Sequence, residues 1–209
     1  MFDQIKTVLI LSPHPDDAEF GLGGTLVKLL ELGKEVHLMV FSKCEKSTPE
    51  GFEVGTIEGE LQKSCMYLGI KNITILDHEV REFPRLRQEI LEDMVSMNDL
   101  IKPDLVFLPG SSDIHQDHNT IYQEGIRAFK FCNVLGYEMP WNNSSFKSYV
   151  YIGLTRAQLD RKVGAIECYK SQSNRPYAGR EFIHALATIR GVQVRKEYAE
   201  SFEMIRWIE

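Results

Sequence analysis

Val8-Leu9-Ile10-Leu11-Ser12-Pro13-His14-Pro15-Asp16-Asp17-Ala18-Glu19-Phe20-Gly21-Leu22-Gly23-Gly24-Thr25 is the stretch whose reading decides the fold. Its first four residues are an unbroken apolar run closed by Ser12-Pro13, the pattern of a strand buried on both faces of a parallel sheet. From Phe20 the period changes. Leu22, Leu26, Leu29 and Leu30 recur at helical spacing, Gly33 provides a C-terminal stop, and a second apolar run covers 36–41. The unit reads strand, helix, strand.

The alternation continues outward. Periodicity predicts a helix over 58–68, a strand over 73–76, a helix over 85–97, a strand over 105–108 and a helix over 120–131. Strands alternating with amphipathic helices on short connections predict a layered α/β fold with a mostly parallel central sheet, flanking helices and right-handed crossovers. The last third is less regular, with a strand over 148–152 and helices over 155–169 and 181–189. The segments 45–55 and 136–145, rich in Pro, Gly, Ser, Asn and Glu, read as surface loops. No linker, repeat or low-complexity tract interrupts the chain, so residues 1–209 are expected to form a single domain.

Composition narrows the function classes. The 209 residues, 43% hydrophobic and 26% charged, suit one globular core and therefore one site. Lys plus Arg number 24 against 30 Asp plus Glu, a net charge of −6, which removes the electrostatic footprint of a nucleic-acid binder. Cys44, Cys65, Cys132 and Cys168 lie far apart without a Cys-x-x-Cys pair, arguing against a thiolate zinc site and a disulfide scaffold and for reduced core thiols. The first apolar run is too brief for a signal-peptide core or a membrane span, so the expected setting is cytoplasmic.

Two clusters carry chemistry. The first, residues 13–25, lies where the first strand gives way to the first helix, the end at which open α/β sheets gather ligands. His14 and Asp17, three apart in a tight turn, can converge an imidazole nitrogen and a carboxylate oxygen, both ordinary zinc ligands at about 2.0 to 2.2 Å. Two other readings stand beside this one. Aspartates before a helix also cap it, and a glycine-rich strand-to-helix turn also opens phosphate sites. The spacing Gly21-Leu22-Gly23-Gly24 misses the dinucleotide fingerprint, and a histidine with two carboxylates is poor company for a pyrophosphate unless a cation intervenes. The second cluster, Ser111-Ser112-Asp113-Ile114-His115-Gln116-Asp117-His118, follows the strand over 105–108 at the equivalent strand end. One of its two histidines can face a metal while the other faces the reacting group; each alone also reads as an ordinary surface or core histidine.

Together, His14-Pro15-Asp16-Asp17-Ala18-Glu19 and His115-Gln116-Asp117-His118 resemble the signature of the LmbE/PIG-L-like family of zinc-dependent N-deacetylases, which act on N-acetylglucosaminyl conjugates. Softer matches extend through Glu60-Leu61, Leu68-Gly69 and Tyr198-Ala199-Glu200-Ser201-Phe202. The resemblance implies a Rossmann-like fold and a Zn2+ held by His14, Asp17 and His118, with Asp16 as general base for the attacking water. It further implies that His115 faces the substrate carbonyl with Asp117 orienting its ring, and that acetate leaves a small N-acetylated, amino-sugar substrate without any nucleotide or organic cofactor. It is also compatible with a homo-oligomer.

One departure bears on substrate contacts. Many relatives carry an arginine shortly before the glutamate aligned with Glu60, whereas this chain reads Val54-Gly55-Thr56-Ile57-Glu58-Gly59-Glu60. Glu60 itself, Arg81 and Trp141 are the candidate substrate contacts, Trp141 as an aromatic face for a sugar ring. Lys43 and Lys46 are alternative cations, and residues 169–172 and His184 alternative lining groups; each also reads as a surface or packing residue. Rival functions are a metal-dependent amidase acting on a non-sugar conjugate and a non-catalytic nucleotide- or sugar-binding module whose acidic turn only caps a helix.

Overall fold

In the computed structural model, which describes residues 2–209, the predicted alternation resolves into seven strands and six helices. In chain order these are β1 (Thr7–Ser12), α1 (Asp17–Glu31), β2 (Glu35–Val40), α2 (Thr56–Leu68), β3 (Asn72–Ile75), α3 (Arg87–Ile101), β4 (Leu105–Pro109), α4 (Gln116–Ala128), β5 (Asn133–Tyr137), β6 (Val150–Leu154), α5 (Arg156–Ile166), α6 (Arg180–Val192) and β7 (Tyr198–Arg206). All seven strands share one sheet in the order β3-β2-β1-β4-β5-β7-β6. The first five are parallel, and β7 and β6 close the sheet antiparallel. Because β1 lies at the centre, its apolar run is buried on both sides: Val8 and Ile10 join the core under α1, α2 and α5, while Leu9 and Leu11 join the core under α3 and α4.

After β3 the chain crosses back over β1 to lay down β4, so the connections leaving β1 and β4 diverge to opposite faces. That reversal opens a crevice at the carboxyl ends of the two strands. The two motifs occupy these ends, the first following β1 and the second following β4.

Several elements differ from the sequence reading. α1 begins at Asp17 rather than near Phe20, so the acidic motif is the first turn of the helix and not its prelude. Likewise α4 begins at Gln116, which makes His115 its N-cap and puts Asp117 and His118 in its first turn. Residues 136 and 137, expected in a loop, end β5; Gly136 hides the strand signal because a side chain there would meet the Gly110 backbone at 3.0 Å. β7 was not anticipated either, since the buried carboxylates of Glu200 and Glu203 break its hydrophobic pattern.

The glycines of the first motif serve packing. A Cβ on Gly21 would fall 2.4 Å from the ring of Tyr137 on β5, and one on Gly24 would fall 2.4 Å from Leu154 on β6. α1 is also broken at Leu22 (φ −149°, ψ 22°), which frees backbone groups in a buried setting. They are satisfied from the far end of the chain: Glu200 accepts from Gly24 N (3.0 Å) and Thr25 N (2.6 Å), and Lys162 Nζ donates to Phe20 O (2.7 Å) and Glu200 Oε1 (2.7 Å). Removing one partner of such a buried pair leaves an uncompensated charge. Lys162→Met is therefore expected to lower unfolding free energy by about 3–5 kcal/mol, read as a shift of the urea midpoint at unchanged slope; a change under about 1 kcal/mol would show that the pair contributes little.

Candidate metal centre

The turn after β1 is tied down locally. Ser12 Oγ donates to His14 O (2.7 Å) and accepts from Ala18 N (3.2 Å), and the Tyr169 hydroxyl lies 2.6 Å from Pro15 O. Pinned this way, Asp17 turns its carboxylate back over the turn, where Oδ2 accepts from His14 N at 2.8 Å. On the opposite wall, Asp113 Oδ2 takes His118 Nδ1 at 2.7 Å, and Asp117 Oδ2 takes His14 Nε2 at 3.0 Å.

These outer hydrogen bonds fix what the inner atoms are. With His14 Nε2 and His118 Nδ1 donating to carboxylates, His14 Nδ1 and His118 Nε2 present lone pairs when the rings are neutral, as metal ligation requires. They lie 3.2 Å from each other, and each is 3.1 Å from Asp17 Oδ2. Three such atoms in mutual contact repel unless positive charge, a proton or a metal ion, sits among them. An ion about 2.0 to 2.1 Å from each of three tetrahedral ligands separates those ligands by about 3.3 Å, so the donor set fits zinc in both kind and spacing. His115 also comes near, since atoms of His14, His115 and His118 fall within 4.8 Å of one another. Its Nδ1, however, accepts from Asp117 N at 3.2 Å, and Asp17 is the closer third member.

The electrostatics report the same demand for a cation. Burial opposes protonation of His118, but Asp17 and Asp113 outweigh it and hold its pKa up at about 10. For His14 burial is again opposed, chiefly by Asp17, and the pKa is raised. Burial pushes the Asp17 carboxyl up, but the two facing rings drive it well below the ordinary carboxylate range. Asp16 behaves differently: burial first, then the negative charge of Asp17, raise its pKa, while Arg175 lowers it. It occupies the N-cap position of α1 with no side-chain cap hydrogen bond, so the capping role that its position suggests is not taken up.

A cavity of about 270 Å³ opens over these groups, and His14, Asp16, Asp17, His115 and His118 all line it, as do Arg81 and Trp141. Four expectations need correction or refinement. Asp117 meets the His115 ring through its backbone N–H, and its carboxylate belongs to His14. With Nδ1 accepting that bond, His115 keeps its proton on Nε2, and burial together with the neighbouring imidazoles lowers its pKa, so the group facing the cavity is a neutral donor. Glu60 does not line the cavity; buried, it accepts from the backbone N and Oγ of Ser171 and anchors the loop after α5. Trp141 lies against Tyr177 with ring centroids 3.8 Å apart and planes 8° from parallel, so one of its faces is already covered.

Of the alternatives, Lys43 and Lys46 pair with Glu58 and Glu79 and are absent from the cavity wall, Gln172 lines it, and His184 lies on α6 outside it. Asp113, which orients His118, was missed although it stands within the second motif; Arg175 and Tyr177 were missed because isolated residues among turn formers carry no spacing signal. All four cysteines are free, and burial raises the thiol pKa of Cys44 and Cys65 well above normal. No helix among the described residues is long and apolar enough to cross a membrane.

Fold and site together define a Rossmann-like α/β protein with a three-donor candidate metal centre at its topological switch point. The chain belongs to the PIG-L family, whose model, described as GlcNAc-PI de-N-acetylase, matches residues 9–129. It is 32% identical over 142 residues to a diacetylchitobiose deacetylase of Thermococcus kodakarensis, a match covering 64% of this chain and 52% of that protein. The chain thus spans about half the length of this relative. Its fold is shared by an N,N'-diacetylchitobiose deacetylase from Pyrococcus horikoshii (TM-score 0.83, 23% identity, covering 98% of this chain and 85% of the other). A 4-carboxy-2-hydroxymuconate hydratase from Pseudomonas putida shares it too (TM-score 0.80, 18% identity, covering 98% of this chain and 99% of the other). The fold therefore does not by itself select the reaction.

Proposed function

We propose that the chain is a zinc-dependent deacetylase that removes the acetyl group from a small N-acetylated amino-sugar substrate. The observation that carries the reading is the triangle of His14 Nδ1, Asp17 Oδ2 and His118 Nε2, with sides of 3.1 to 3.2 Å, the spacing that one tetrahedral ion imposes on three of its ligands. Zinc bound by three protein ligands lowers the pKa of its water to about 7 and polarises a carbonyl. Asp16, uncapped and facing the cavity, accepts the proton of the attacking water. His115 offers Nε2–H to the carbonyl oxygen as negative charge develops there, a role that a neutral imidazole serves and that is worth about 3–4 kcal/mol for one preorganised donor. The proton held by Asp16 then passes to the departing nitrogen, giving acetate and a free amine.

Substrate size follows from the cavity. About 270 Å³ lies just below the range of roughly 300–1,000 Å³ that holds drug-sized ligands, which suits one acetylated sugar ring with its aglycone projecting outward. The diacetylchitobiose named for the Thermococcus relative is of this class. Incubating protein of known metal content with methyl N-acetylglucosaminide is expected to release acetate and amine in equal amounts from protein carrying about one zinc per chain. Metal-free protein as purified would argue for the binding-module rival. Zinc-loaded protein that releases no acetate from N-acetylated sugars would sink the deacetylase reading. A second reading, addition of water to an activated double bond, draws on the likeness to the hydratase, and it predicts a hydrated acid with no acetate.

A further inference from the structure

The rim of the cavity holds positive charge that the protein's own carboxylates engage only weakly. In a chain with a net charge of −6, arginines find carboxylates easily: Arg85, Arg87, Arg127, Arg180 and Arg190 are each committed to one. The two arginines lining the cavity are held more loosely. Arg81 forms no ion pair among the described residues, and its Nη2 reaches only Ser47 Oγ at 3.4 Å. Arg175 Nη1 stands 4.0 Å from Asp16 Oδ2, the outer limit of an ion pair.

Arg175 is nevertheless held in place. Glu60 grips Ser171 by backbone and side chain, Tyr169 is tied to Pro15 O at 2.6 Å, and Arg175 N donates to Gln172 O at 3.2 Å. At its tip, Nη1 donates to Tyr177 Oη at 2.8 Å, and the guanidinium lies 5.8 Å from the centre of that ring. Only one of its nitrogens is engaged this way, so the remaining N–H groups are free for a planar two-oxygen partner.

Resting on the deacetylase reading, we propose that Arg175, with Arg81 as a second cation on the same rim, selects substrates bearing a carboxylate or phosphate on the amine-retaining half, within about one sugar ring of the scissile amide. Its closeness to Asp16 sets that distance: an anion farther along the aglycone lies beyond the reach of the fork.

The test compares three acetylated substrates with zinc-loaded protein: methyl N-acetylglucosaminide, its carboxymethyl glycoside and N-acetylglucosamine 1-phosphate. The anionic pair is expected to exceed the neutral one by about 10- to 100-fold in kcat/KM, the scale of a charge-assisted contact, mostly through KM; whichever anion is preferred identifies the group. Arg175→Ala should reduce that ratio to within about threefold, and Arg175→Lys should retain part of it. If Arg175 serves only to keep Asp16 ionised, Arg175→Ala lowers all three rates equally and the proposal is overturned; equal rates in the unaltered protein overturn it too. Calorimetric binding of the deacetylated products, glucosamine 1-phosphate against methyl glucosaminide, tests the anion preference apart from catalysis. Absence of acetate release with tighter binding of the phosphate rejects the deacetylase reading alone, while no preference in binding rejects the role of Arg175.

Discussion

His14→Ala is expected to yield a folded protein that no longer retains zinc and has no measurable turnover. The substitution removes one corner of the donor triangle and leaves Asp117 Oδ2 with only Arg81 N, at 2.7 Å, as its partner. Disturbing a residue that merely orients a metal ligand costs about 10- to 100-fold in affinity, so removing the ligand should cost more. Competition against a chromophoric chelator measures this, with far-ultraviolet circular dichroism as the control for folding. Asp113→Asn supplies the graded comparison, because it weakens the grip on His118 Nδ1 without removing a ligand; it should lose affinity within that 10- to 100-fold range. A His14→Ala protein that still copurifies with one zinc per chain would refute the proposed ligand set.

Asp16→Asn should behave in the opposite way, keeping its zinc while losing about 10²-fold or more in kcat, the usual contribution of a general base. The side chain is nearly isosteric and makes no cap hydrogen bond, so the substitution removes neither a helix cap nor a member of the donor triangle. Asparagine cannot accept the water proton, and Asp17, committed to both imidazoles, cannot substitute for it. Steady-state kinetics on metal-matched preparations separate the two effects. Full turnover in the Asp16→Asn protein would assign the proton to another group.

The legibility of this chain in its sequence follows from which signals are periodic. The parallel half was readable because β1 and β4 are continuous apolar runs and the helices between them keep a clean amphipathic period. β5 and β7 were not: β5 contains Gly136, required by the close approach of Gly110, and β7 carries Glu200 and Glu203 inward, so neither matches a strand template. At the site, local spacing pointed to His14 and Asp17, and the two motifs together to His118. Partners set by tertiary contact, such as Asp117 with His14 or Glu60 with Ser171, join residues 103 and 111 positions apart, and no local pattern encodes them. Helix onset was misread for one reason in both motifs: the polar residues that look like a loop are the first turns of α1 and α4.

The interrupted first helix has a bearing on how this protein can be divided. Every proposed zinc ligand lies between residues 14 and 118, inside the segment that matches the family model, which invites excising that segment as a minimal catalyst. Such a fragment would lack Lys162 and Glu200, the side chains that stitch α1 together across its break. Phe20 would keep a stranded carbonyl, and Gly24 and Thr25 stranded amides, directly beneath the turn that aims His14 and Asp17. The tail of the chain is thus the splint of its opening motif, and recombining one family member's first half with another's second should succeed only where the splint and the break are exchanged as a pair.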